Sequence, residues 1–197
     1  LTRRLQELVL KFPDDLEAKA LYAMFSIRSG NALGTEMVLR EVFAEMPDHP
    51  GAHHYRIHNW DGVATEQGLP SCARYGPAAP GIGHSNHMPG HNYTKLGMWH
   101  EAAISMDSAT RVELAYMNER LALPFETWNF AHNRDYLCYI QEQLGMEAAA
   151  RDGARSMIAA PRNPQPDDEE GEATFGYGLN ALLRGLVKFE RWDAILE

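Results

Sequence analysis

Two histidine pairs carry the chemistry that this chain could do. His54-Tyr55-Arg56-Ile57-His58 and His87-Met88-Pro89-Gly90-His91 both read His-x-x-x-His, the second 33 residues after the first. A proline stands seven residues ahead of each pair, at Pro47 and Pro80. A spacing of four puts both imidazoles of a pair on one face of an α-helix. Imidazoles buried on such a face need partners for their ring nitrogens, and a metal ion supplies one. His132 comes eight residues after Pro124, one residue off the same offset. His54, His58, His87, His91 and His132 are therefore expected to converge on one centre, as ligands of one ion or of a pair. For any one histidine taken singly, the plainer reading is a satisfied structural role in a turn or against a carbonyl.

Further candidates surround the pairs. The helical stripe through the first pair reads His54, Ile57, His58, Asp61, so Asp61 could add a carboxylate. His84, three residues before His87, could be a ligand or an outer group. Asn92, Asn129 and Asn133 could hold ligand imidazoles by hydrogen bonds. Tyr93, Trp128 and Tyr136 lie about a turn or less from the histidines and could wall a substrate pocket. His49 precedes Pro50 at a helix start and reads as a turn residue. His53 points about 100° away from His54 on the helix, and His100 is expected at the surface. An all-imidazole site favours copper or zinc, and an iron site with one carboxylate is the runner-up. The zinc-protease pattern His-Glu-x-x-His is absent, because Tyr55 and Met88 stand where the glutamate belongs. Neither pair has the Glu-x-x-His of ferritin-like di-iron sites, and no phosphate loop or nucleophile elbow is visible.

The frame that must position these residues is repetitive. Phe12-Pro13-Asp14-Asp15 recurs as Met46-Pro47-Asp48-His49 after 34 residues, and Ala79-Pro80-Gly81 follows 33 later. Leu123-Pro124 and Ala160-Pro161 are weaker echoes. Glycines punctuate the midpoints at Gly30, Gly97 and Gly145. Proline opens or follows helices and glycine closes them, so each unit reads as helix–turn–helix. After a helical tail at 2–11, first helices are expected near 15–28, 50–61, 83–96, 126–143 and 172–187. Second helices are expected near 33–45, 63–75, 99–121, 147–159 and 190–197. Pro89 cannot sit quietly in a helix interior, so the helix near 83–96 is expected to kink there or to begin there, leaving His84 and His87 on a lead-in loop. Tyr75 to Gly81 reads as a turn cluster, and Ala160 to Ala173 as an acidic, proline-rich linker.

With its period of 34, its closing prolines and Leu96-Gly97-Met98-Trp99-His100-Glu101-Ala102, the chain resembles the tetratricopeptide-repeat (TPR) proteins. The histidine-bearing segments 49–58 and 84–93 are similar to a histidine-rich bacterial branch of that family. The resemblance implies an all-α, right-handed superhelix of antiparallel helix pairs, one domain over 1–197, whose first helices line a concave groove. It brings no settled reaction.

Composition bounds the rest. A chain of 197 residues with 45% apolar and 23% charged residues can bury a core and is not disordered by composition. A net charge of −9 argues against nucleic-acid or anionic-membrane surfaces, and no apolar run is long enough to span a membrane. Cys72 and Cys138 are the two cysteines, too few for a disulfide framework, and they leave the compartment open with the cytoplasm favoured. Both ends fall inside helical patterns, so flanking sequence, a missing signal peptide, a partner chain or a homo-oligomer is expected to account for them. The function expected first is a metal-dependent enzyme, an oxidoreductase or hydrolase acting on a small molecule or peptide in the groove. The alternative is a non-catalytic TPR module that grips a peptide there.

Overall fold

The computed structural model describes residues 1–164 and 173–196. Regular structure among them is entirely helical. Residues 165–172, most of the expected acidic linker, and Glu197 lie outside the described residues. The chain divides into two compact units, Leu1–Pro80 and Gly81–Glu197.

The first unit holds α1 (Thr2–Lys11), α2 (Leu16–Ser26), α3 (Ala32–Glu45), α4 (Pro50–Trp60) and α5 (Leu69–Ala78). Each helix packs on the next, and α2 also lies against α4. Ala23, Leu39, Val42 and Ala52 are buried at the centre, with Leu16, Val38, Phe43 and Tyr55 packed around them. The repeat is visible in how the helices start. Asp15 caps α2, its carboxylate accepting the Ala18 N–H at 3.0 Å. Thirty-four residues later His49 does the same for α4, its Nδ1 accepting from Ala52 at 3.2 Å. Each cap satisfies one of the backbone donors left open at a helix start.

The second unit holds α6 (Gly83–Lys95), α7 (Trp99–Arg120), α8 (Trp128–Gln143), α9 (Glu147–Ile158), α10 (Ala173–Lys188) and α11 (Trp192–Leu196). Again each helix packs on the next, and α6 meets α8 and α8 meets α10 across the alternation. Met106, Leu137 and Ile140 form one buried centre with Ala102. Cys138, Ala150, Ala154, Met157 and Ala181 form another. One device ends α6 and α8 alike. Gly97 and Gly145 take left-handed φ of 71° and 74°, and the next residues, Met98 and Met146, donate back to Tyr93 and Gln141 at 2.8 Å. That six-to-one closure caps the last carbonyls and turns the chain into the following helix.

One open alternative is decided and two expectations change at this level. α6 does not begin at Pro89; it runs from Gly83 through the proline to Lys95, so His84 and His87 stand on a helix rather than on a lead-in loop. Met88, Pro89 and Gly90 are all buried. Ser105 of α7 donates to the Asn86 carbonyl at 2.5 Å, beside the point where proline interrupts the ladder. Packing against α7 thus offsets a proline cost of about 3 kcal/mol. Tyr75 to Ala78 is the last turn of α5 rather than a loop. Pro77 removes one bond at a helix end, where the Ala79 N–H still reaches Tyr75 and Gly76. The helix expected at 63–75 is instead a 3-10 turn, Thr65–Gly68, followed by α5.

Candidate metal centre

In both His-x-x-x-His pairs the two rings turn the same nitrogen toward each other. His54 Nε2 and His58 Nε2 are 3.0 Å apart on α4. His87 Nε2 and His91 Nε2 are 2.6 Å apart on α6. Spacing of four brings the rings together; what surrounds each pair differs.

On α4, His54 is half-buried and stacks on Tyr75 of α5, with ring centroids 5.4 Å apart and planes 12° apart, while His58 is exposed. Asp61 closes the C-terminal end of the same helix. On α6, His87 is 3% exposed and faces α8, which adds His132 at a ring separation of 4.8 Å. One nitrogen from each of His87, His91 and His132 lies within 4.8 Å of the other two. An ion with bonds of about 2.0–2.1 Å to three imidazoles would hold their nitrogens about 3.3 Å apart, a separation between the 2.6 Å of His87 and His91 and the 4.8 Å limit of the triad.

The electrostatics favour the neutral form of His87 and His132. Burial pushes the His87 imidazole down to about 2, and His91, His132 and His84 push it the same way. The Asn133 side chain opposes them by favouring the charged form, yet no hydrogen bond closes on His87 Nδ1, which is buried without a partner. Burial also lowers His132, with Asp135 acting against the shift. Neutral imidazoles with converging lone pairs are the protonation state that a metal requires.

The remaining expected residues fall around this triad or away from it. Tyr136, expected as a pocket wall, places its hydroxyl 3.2 Å from His91 Nδ1, and so orients that ring. Trp128 lies against His132 at 5.3 Å and is 60% exposed. Tyr93 packs into the apolar centre of α7 and α8. Asn92 and Asn133 are buried, and Asn129 is half-buried. His84 stacks on His87 at 5.9 Å. His53 is buried between Ser71 Oγ and the Pro47 carbonyl, 3.0 Å from each, His49 is the cap of α4, and His100 is exposed. Burial pushes the Cys72 and Cys138 thiols up to about 12, so neither is poised as a nucleophile.

Tyr177 of α10, 6.4 Å from His132, was not singled out from the sequence, and neither was Glu113. The signal for Glu113 was present. It occupies the buried stripe Met106, Ala109, Glu113, Met117 of α7, where a carboxylate is out of place among apolar residues. Comparison with models of known protein families and with curated proteins gives no match for this chain.

Proposed function

We propose that the protein is a histidine-ligated metalloprotein whose ion is held by His87, His91 and His132. The observation that carries this reading is the convergence of three imidazole nitrogens within 4.8 Å, with His87 buried and pushed toward its neutral form. Four of the features expected of such a site support it: a helix pair, a facing helix, an oriented ring and an exposed aromatic at the rim. With an ion on Nε2, His91 Nδ1 would carry the proton and donate it to the Tyr136 hydroxyl oxygen, 3.2 Å away. The triad contains no carboxylate, which favours copper or zinc over iron. Held by His87, His91 and His132, such an ion would supply Lewis-acid or water- and oxygen-activating chemistry. That is the profile of a metal-dependent oxidoreductase or hydrolase.

The scaffold belongs to the same proposal. Contacts between α6 and α8 and between α8 and α10 support a tetratricopeptide-like stack in which alternate helices share a layer. In such a stack the first helices would present the triad to the groove, and His54 and His58 would be first-helix residues of the preceding repeat. X-ray absorption on metal-loaded protein tests the reading. A shell of three imidazoles at about 2.0–2.1 Å is expected for the triad. A shell without imidazoles would contradict it. Tag-free protein that is stable without metal and captures extended peptides would favour the non-catalytic module instead.

A further inference from the structure

One turn along from the triad, α6 and α8 border a second feature. The N-terminal end of α6, the middle of α7 and the start of α8 enclose an open cleft of about 380 Å³. Gly83 on its α6 wall is one turn from His87, and Trp128 on its α8 wall is one turn from His132. Trp128 touches both features, since its ring also lies 5.3 Å from His132.

The lining has a definite chemistry. Glu113 is 7% exposed, points into the cleft and has no ion-pair or hydrogen-bond partner among the described residues. Its carboxyl lies over Gly83, where a β-carbon would clash with it. Burial holds that carboxyl above its ordinary range, as expected for a carboxylate denied a counter-charge. Glu126 adds a second carboxylate at the mouth, one oxygen accepting the Leu123 N–H at 2.7 Å. Tyr116 and Trp128 line the cleft with aromatic side chains, 49% and 60% exposed. No lysine, arginine or histidine is among the lining residues.

We propose that this cleft binds an organic cation, an alkylated or quaternary ammonium group, with its charge against Glu113 and its substituents against Trp128 and Tyr116. Carboxylates beneath and aromatic faces beside are the two elements that recognise such cations. Glu113 lies over the first turn of α6, and no cationic side chain lines the cleft to hold an anion. The charge of the ligand supplies the partner that the buried carboxyl lacks, and its position places the remainder of the molecule beside His132. The inference concerns the cleft alone and does not require an ion at the triad.

Benzyltrimethylammonium is the probe of choice, because it keeps its charge at every pH and has no lone pair for a metal. Calorimetric titration of the full chain, before and after chelation, should show the same binding in both. Glu113→Gln should weaken it at least tenfold. Trp128→Leu, at an exposed position where folding is not at stake, should weaken it severalfold, and benzoate should not bind. Unchanged affinity in both variants, equal binding of benzoate, or binding seen only with metal present would overturn the proposal.

Discussion

Tyr136 and His87 set the behaviour of the site by different means. The Tyr136 hydroxyl lies within hydrogen-bond reach of His91 Nδ1, at 3.2 Å. Outer hydrogen bonds of this kind are worth about 10–100-fold in metal affinity. Tyr136→Phe should therefore weaken zinc or copper binding by about tenfold with little loss of stability, as read by competition against a chromophoric chelator. His87 acts through its burial. Its value of about 2 in the folded protein lies below the 6.5 of an unperturbed imidazole. Between those limits the unfolded chain takes up a proton that the folded chain refuses, so stability is full above about pH 6.5 and falls as the pH drops. In metal-free protein the decline should approach 1.4 kcal/mol per pH unit for this one residue, measured as the denaturation midpoint against pH. His87→Gln should flatten the slope, and an unaltered slope would show that His87 is not held neutral.

At the scale of elements, the second unit depends on helices that approach closely at small residues. Gly178 of α10 leaves no room for a side chain: a β-carbon there would sit 2.9 Å from the Ile158 nitrogen and 3.0 Å from the Ala154 carbonyl of α9. Backbone cannot yield as a flexible side chain can, so Gly178→Ala should cost about 1–3 kcal/mol, seen as a lower melting temperature at unchanged helical content. The helices themselves were largely legible in the sequence. Their boundaries follow punctuation that acts locally: Asp15 and His49 as caps, Gly97 and Gly145 as left-handed stops. The local rules placed α6 near 83–96 but left open whether it began at Pro89, because the proline was weighed by propensity alone. The Ser105 bond and the burial of Met88 to Gly90 come from α7, and no reading of the segment by itself contains them. The histidines were legible by their spacing of four. The roles of Tyr136 and Glu113 were not read, since both depend on which neighbouring helix each side chain meets.

Over the whole molecule the chain is built of helices alone among its described residues, and none of these is long and apolar enough to cross a membrane. A far-ultraviolet circular dichroism spectrum should show the double minimum of α-helix with no β component. A substantial β signal would contradict the architecture on which the site rests. The central claim is that His87, His91 and His132 hold a metal ion, and it is tested most directly by the metal content of protein purified without a histidine tag. Stoichiometric zinc or copper is expected in the native chain and in His100→Ala, and its loss in the folded triple variant His87→Ala, His91→Ala, His132→Ala. Equal metal content in the native chain and the triple variant, or none in either after incubation with both ions, would contradict the account.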